Sequence, residues 1–138
     1  MPITEILERN CKLYGDEVAL VELNPEVPDD RRTWKDYELI QPTASSCYRR
    51  EITWNVFNEK ANRFSNLLLS RGIGKGNKVA ILLMNGIEWL PIYFGVLKTG
   101  AIAVPMHFRF SSDEIEYCLD LSEADVLVFG PVFIGRVE

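Results

Sequence analysis

The order of segments around "SRGIGKGNKVAILL", residues 70–83, limits how this chain can fold. Upstream, apolar residues recur at helical spacing on one face, and these are Phe57, Ala61, Phe64 and Leu68. Gly72 is placed where helices commonly end in a left-handed residue. Downstream, "KVAILLM" is a continuous apolar run of strand length, typical of a strand that is buried on both faces. The sequence therefore predicts a helix, a glycine loop and a buried strand, in that order.

This order argues against phosphate binding by the glycine loop. A phosphate loop follows a strand and opens a helix, so that backbone N–H groups and the helix N-terminus converge on the anion. Here the loop follows a helix and opens a strand. Its glycines, Gly72, Gly74 and Gly76, are spaced G-x-G-x-G, which is neither the P-loop nor the dinucleotide-binding pattern. We therefore predict a connector whose lysines are solvated charges.

From residue 78 onward, strand and helix patterns alternate. Apolar runs at 78–84, 101–106 and 124–130 predict strands, and the two segments between them predict helices. Ser112 or Ser111 can cap the second of these helices, and Ser111-x-x-Glu114 also satisfies the capping-box pattern. The alternation predicts an α/β fold, a right-handed β-α-β-α-β unit with a parallel sheet. Ligands of such sheets bind beyond the carboxyl ends of the strands, here near residues 84–86, 106–109 and 130–131.

A helix and a β-ribbon are predicted ahead of this unit. Residues Ile3 to Tyr14 form an amphipathic pattern with Ile3, Ile6 or Leu7, and Tyr14 on the apolar side. "EVALVEL" at 17–23 predicts a strand, and the Pro-interrupted segment 31–54 predicts an edge hairpin or ribbon. We expect one domain over residues 1–138, with the helix and ribbon in 1–51 and the α/β unit in 52–138.

Composition narrows the classes of function. The chain has 138 residues, 47% apolar residues and a formal net charge of −5, which argues against nucleic-acid binding because no basic face would contact phosphates. Its longest apolar stretches are shorter than a membrane span, and its first ten residues lack the features of a secretory signal. We expect a cytoplasmic protein without an integral membrane segment.

The cysteines do not predict a disulfide framework or a metal site. Cys11, Cys47 and Cys118 are odd in number and far apart, which is typical of buried thiols in a reducing compartment. His107 is the only histidine, so metal-ligand spacing is missing. Core packing is the preferred interpretation of Cys118, and a cysteine nucleophile paired with the distant histidine is the alternative.

Two stretches together resemble the adenylate-forming superfamily, which contains acyl-CoA synthetases, luciferases and the adenylation domains of peptide synthetases. The first, "ITWNVFNEKANRFSNLLLSRGIGKGNKVAILLMNGIEWL", is similar to the family's early helix, Gly-rich turn, buried strand and following Asn. The second, "YFGVLKTGAIAVPMHFRFSSDEIEYCLDLSEADVLVF", resembles the family's Leu-Lys-Ala-Gly … Val-Pro motif and the elements after it. The resemblance covers about residues 52 to 129 and, less closely, the first helix and strand.

The resemblance implies the N-terminal part of the large domain of an acyl-CoA synthetase of the long-chain fatty-acid type. Such an enzyme uses ATP and Mg²⁺ to activate a carboxylic acid as an acyl-adenylate and then transfers the acyl group to CoA. No catalytic residue of the family maps onto this sequence, and its ATP-gripping motif is absent. The resemblance places His107, Phe108, Arg109 and Arg136 on the CoA side, whereas the alternative is that Phe108 and Phe110 pack and both arginines are solvated or ion-paired.

We expect an N-terminal fragment that is inactive alone, binds none of these ligands tightly and self-associates through surface that the rest of the enzyme would cover. Three alternatives remain at this stage. The chain could be a stand-alone interaction module, part of a peptide-synthetase adenylation domain, or an unrelated flavodoxin-like nucleotide-binding domain. The chemistry of the acyl chain is not encoded in these residues.

Overall fold

A computed structural model describes residues 2–24 and 48–138 of the chain. In chain order, the elements of the described residues are α1 (Ile3–Tyr14), β1 (Val18–Asn24), β2 (Tyr48–Thr53), α2 (Trp54–Ser70), β3 (Lys78–Leu82), α3 (Trp89–Lys98), β4 (Ile102–Pro105), α4 (Ser112–Ser122), β5 (Val126–Phe129), a 3₁₀ turn (Pro131–Phe133) and α5 (Ile134–Val137).

Strands β3, β4 and β5 form a parallel sheet in the order β4-β3-β5, so the first strand of the unit is central. Alternate residues of β3 point to opposite faces. Val79 and Ile81 pack with α2 and α3, in a cluster that we call the α2–α3 core. Ala80 and Leu82 pack with Ile115, Met106 and Phe133, in a cluster that we call the α4 core. This three-layer arrangement confirms the predicted α/β fold class.

Helix α2 begins and ends as its sequence predicts. The Thr53 hydroxyl accepts a hydrogen bond from the Val56 N–H at 3.3 Å and caps the N-terminus. At the other end, Gly72 has a φ of 79°, and its N–H donates to the carbonyl of Leu69. The N–H of Ile73 donates to Leu68, which completes a Schellman motif. The chain is thereby turned from α2 into the loop that leads to β3.

Helix α3 lies unusually close to α2 at Gly95, which is buried. A Cβ atom at this position would lie 2.9 Å from the carbonyl oxygen of Ala61 and 2.9 Å from Cδ1 of Phe64. The missing side chain therefore sets the separation of the two helices.

The first helix and the ribbon pack on the outer side of α2. Strands β1 and β2 pair antiparallel, so the strand at the end of the predicted ribbon segment pairs with the strand predicted at 17–23. In α1 the bounds are as predicted, but the buried residue is Leu7, whereas Ile3 and Tyr14 are about half exposed. The predicted apolar side was therefore wrong at both ends, because α1 contacts α2 through Leu7 and the half-buried Cys11. Most of the predicted ribbon segment, and Cys47, lie outside the described residues.

Lys98, at the end of α3, links this helix to α1 and α2. Its side chain is only 10% exposed, and Nζ lies 3.3 Å from Glu8 of α1 and 2.9 Å from the Asn58 side chain of α2.

Within residues 2–24 and 48–138, none of the helices combines the length and the apolar character that crossing a membrane requires.

Helix α4 carries the predicted capping box. The Ser111 hydroxyl accepts the Glu114 N–H at 3.3 Å, and the Glu114 carboxylate accepts the Ser111 N–H at 2.8 Å. After α4, Asp125 leads into β5 and accepts the Lys78 N–H at 2.7 Å, while its own N–H donates to the Lys78 carbonyl at 2.8 Å. This reciprocal pair extends the contact between β3 and β5 at their amino ends.

Candidate functional site

The loop after β4 and the helical segment after β5 meet at the carboxyl-terminal edge of the parallel sheet. Strands β4 and β5 are the outer strands on either side of β3. The contact between the loop and the helical segment therefore joins the chain after one outer strand to the chain after the other. Helix α3, which follows β3, packs on the opposite face from Phe133, which follows β5. Chain segments that diverge to opposite faces leave a crevice between them, where α/β sheets bind ligands.

The loop 106–111 is built by local hydrogen bonds. Met106 is buried, and its N–H donates to the Ile81 carbonyl at 2.9 Å, which anchors the start of the loop to β3. The Phe110 N–H donates to the His107 carbonyl at 3.1 Å and closes a turn. The Arg109 N–H donates to Nδ1 of His107 at 3.2 Å, so the imidazole is held against its own loop.

Rings and a cation are stacked on this loop. His107 is exposed and lies parallel to Phe108, with ring centroids 4.9 Å apart and planes inclined by 19°. The guanidinium carbon of Arg109 lies 5.3 Å from the centroid of the same Phe108 ring, within cation–π distance. Phe108 and Phe110 are half-buried against the α4 core, as the packing alternative predicted for them.

Arg136 connects α5 to this loop. Its Nη1 donates to the carbonyl oxygen of Phe108 at 3.0 Å and to that of Phe110 at 3.3 Å. Its guanidinium carbon also lies 5.7 Å from the ring of the buried Phe133. The structure therefore brings together all four residues that the sequence placed on the CoA side, although Arg136 contacts the loop backbone.

The glycine loop is at the other end of the sheet, ahead of β3, and four of its amides donate to acceptors within the protein. The Gly72 and Ile73 N–H groups donate to helix α2, as described above. The Gly74 N–H donates to the Asn77 side chain at 3.0 Å, and the Asn77 N–H donates to the Gly74 carbonyl at 3.0 Å. The loop connects the end of α2 to the start of β3, which confirms the predicted order of helix, loop and strand. Lys78 is not a purely solvated charge, because its Nζ pairs with Glu123 at 3.1 Å.

A small groove of about 320 Å³ lies between the ribbon and the loop after β3. Arg50 joins its two sides, since it pairs with Glu22 of β1 at 3.2 Å and with Glu88, just before α3, at 3.0 Å. The sequence did not predict this link. Its partners are 28 and 38 residues away along the chain, so no local pattern marks them.

Both described cysteines are half-buried and pack against core clusters. The Cys11 thiol donates to the Trp54 carbonyl at 3.1 Å. Burial raises the pKa of the Cys11 thiol, and the opposing effect of Lys98 is smaller. Cys118 is half-buried against the α4 core, as predicted. In the parts of the chain that the structure describes, no three His, Cys, Asp or Glu side chains are grouped so that they could hold a metal ion.

Comparison with known proteins identifies the family to which this geometry corresponds. The model of the family described as "AMP-binding enzyme" matches residues 7–136. A medium/long-chain-fatty-acid–CoA/3-oxocholest-4-en-26-oate–CoA ligase of Mycobacterium marinum is 35% identical over 91 residues, 66% of this chain and 16% of that protein. A crotonobetaine/carnitine–CoA ligase of Shigella flexneri is 43% identical over 76 residues, 55% of this chain and 15% of that protein.

The fold agrees with the same group of proteins. The N-terminal domain of FACL13 from Mycobacterium tuberculosis superimposes with a TM-score of 0.77 at 26% identity, over 99% of this chain and 29% of that domain structure. The chain thus spans about one sixth of the length of the curated relatives that it matches. The matched region includes the loop 106–111 and Arg136.

Proposed function

Since the chain belongs to the AMP-binding enzyme family, we propose that it forms the N-terminal segment of an ATP-dependent acid–CoA ligase. The observation that carries this proposal is the family match over residues 7–136. The relatives reported above are named as acid–CoA ligases, which favours CoA over the carrier of a peptide synthetase as the acyl acceptor. We propose a fatty acid as the carboxylic-acid substrate, since the relative from Mycobacterium marinum is named for medium- and long-chain fatty acids.

The proposed reaction has two steps. The carboxylate attacks the α-phosphate of ATP, which gives an acyl-adenylate and releases pyrophosphate. The thiol of CoA then attacks the acyl carbon and releases AMP. The described residues do not fit Mg²⁺-ATP, because they hold no cluster of metal ligands and four amides of the glycine loop already donate to acceptors within the protein. We therefore propose that ATP and Mg²⁺ are bound by residues outside this chain, and that the chain alone is inactive.

We propose that the loop after β4 contacts the nucleotide end of CoA. The exposed His107 ring caps a stack with Phe108, and stacking on such a surface is available to any nucleobase. Arg109 adds a positive charge beside the stack, which suits the phosphates of CoA. Nη1 of Arg136 donates to two backbone carbonyls of the loop, so we assign Arg136 to holding the loop and not to contacting CoA.

The two parts of the proposal are tested with two rates. ATP–pyrophosphate exchange reports the first step, and acyl-CoA formation reports both. In the full-length enzyme that carries this chain, His107→Ala and Arg109→Ala are expected to raise KM for CoA and to leave exchange unchanged. Glu116→Gln, on the exposed side of α4, is the matched surface control. Exchange by the 138-residue chain alone with any fatty acid would refute its proposed inactivity.

We also propose a cytoplasmic location, one domain over the whole chain, no nucleic-acid partner and self-association when the chain is alone. Self-association is supported by large apolar side chains that remain open to solvent, such as Tyr117 at 65% and Leu121 at 71% exposure. Light scattering across micromolar concentrations tests it, and a strictly monomeric species would contradict it. Weak or undetectable calorimetric binding of ATP and CoA is expected for the isolated chain.

A further inference from the structure

We infer that Arg136 is a positioning residue for the CoA step, which holds the loop 107–110 in the conformation that presents His107 and Arg109. This inference rests on the proposed function, because it concerns the loop that the proposal assigns to CoA. It differs from the assignment that the sequence suggested, in which Arg136 was itself a CoA-side ligand.

The contacts of Arg136 carry the inference. Nη1 donates to two carbonyl oxygens of one turn, at 3.0 and 3.3 Å, from 28 and 26 residues further along the chain. A charged donor that bridges two carbonyls of the same turn fixes their relative orientation. The guanidinium also lies near Phe133, which is 2% exposed and belongs to the α4 core. Arg136 is itself exposed, and it links the segment that carries Phe133 to the backbone of the loop.

The hydrogen bonds within residues 107–110 are short-range. The Phe110 N–H donates to the His107 carbonyl and closes the turn, and the Arg109 N–H donates to Nδ1 of His107. The bond from Met106 to β3 and the packing of the two phenylalanines hold the loop against the sheet. The bonds from Arg136 add a second attachment, to the segment that follows the outer strand β5.

The first test uses the 138-residue chain without ligand. Backbone ¹⁵N order parameters of residues 107–110 are measured in the wild type, Arg136→Leu and Arg136→Lys, with Gly135→Ala as the matched control. The wild type and the control are expected near about 0.85, and Arg136→Leu below about 0.6. Arg136→Lys retains a charged donor and should be intermediate. An unchanged order parameter in Arg136→Leu, with circular dichroism showing a folded chain, would overturn the inference.

The second test uses the full-length enzyme. Arg136→Leu is expected to raise KM for CoA on the order of tenfold, the effect of losing one hydrogen bond to a charged group, while pyrophosphate exchange stays constant. Arg136→Lys should recover part of the loss. A raised KM with an ordered loop would mean that Arg136 contacts CoA directly, and the inference would fail.

Failure of the proposed function is distinguishable from failure of the inference. If His107→Ala and Arg109→Ala leave KM for CoA unchanged, the loop does not bind CoA and the proposed function fails there. If those variants raise KM for CoA but Arg136→Leu does not, the proposed function stands and the positioning role is wrong.

Discussion

Replacing Gly95 by alanine tests the close approach of α2 and α3. The added Cβ would lie 2.9 Å from the Ala61 carbonyl oxygen, 2.9 Å from Cδ1 of Phe64 and 3.1 Å from Cβ of Phe64. Favourable contacts between such atoms need about 3.5–4.0 Å, so roughly half an ångström of separation is missing. The Ala61 oxygen belongs to the backbone of a 17-residue helix and cannot move by itself. The helices must therefore separate.

Two opposing contributions set the magnitude. Overpacking of a buried site costs about 1–3 kcal/mol, and two contacts this short, one of them to backbone, place Gly95 in the upper part of that range. Alanine gains about 1 kcal/mol over glycine in a helix interior, which offsets part of the cost. We expect a net loss of about 1–2 kcal/mol in the free energy of unfolding. For a chain of this size, the midpoint of thermal unfolding should fall by about 3–8 °C.

Urea unfolding of the 138-residue chain, followed by circular dichroism, measures this loss. Gly135→Ala is the control, because a Cβ on Gly135 would meet no atom within 4 Å. Its free energy of unfolding should stay within about 0.5 kcal/mol of the wild type. If Gly95→Ala is as stable as Gly135→Ala, the close approach at Gly95 does not limit the packing of α2 on α3.

Three further changes are predicted to affect stability. The hydrogen bond from the Lys78 N–H holds the pKa of the Asp125 carboxyl below its ordinary value, so its stabilisation is present above the ordinary pKa and is lost as the pH falls through the lowered one. The difference in urea midpoint between Asp125→Ala and the wild type should therefore be largest near neutrality and vanish at strongly acidic pH; a constant difference would contradict this. Ser111→Ala removes the N-cap of α4 and should cost about 1 kcal/mol in urea unfolding, and no loss would contradict the cap. Lys98→Met removes a nearly buried ammonium from the exposed Glu8 and the half-buried Asn58 and should cost about 0.5–1.5 kcal/mol, whereas Lys75→Met, at an exposed position, should cost little in the same assay.

Short-range signals in the sequence were sufficient for the boundaries of elements. Two residues mark the ends of α2. The Thr53 hydroxyl accepts a backbone N–H of the first turn, and Gly72 adopts the positive φ with which the last turn ends. The capping box of α4 follows from the spacing of Ser111 and Glu114. In each case the residue type and its partner lie in the same short segment, so local chemistry decides the structure.

The links between elements were not predictable in the same way. Lys98 contacts Glu8, which is 90 residues away, and Arg136 contacts Phe108, which is 28 residues away. Which donors meet which acceptors depends on the strand order β4-β3-β5, and a single sequence gives no pattern for that order. The family resemblance grouped Arg136 with the loop residues but gave it a ligand's role, because only the geometry shows that its donors reach backbone carbonyls.

The central strand β3 separates the features that stabilise the fold from those that shape the loop. Val79 and Ile81 share the α2–α3 core, on the face that Gly95 and Lys98 serve. Ala80 and Leu82 contact the other face, where Phe133 supports the loop after β4. Since distant sites without shared partners act independently, looser packing of α2 on α3 should leave the loop in place. Arg136 lies on the face of the sheet opposite α2 and α3, so Arg136→Leu should not disturb their packing. A change in KM for CoA in this variant would therefore reflect the loop itself.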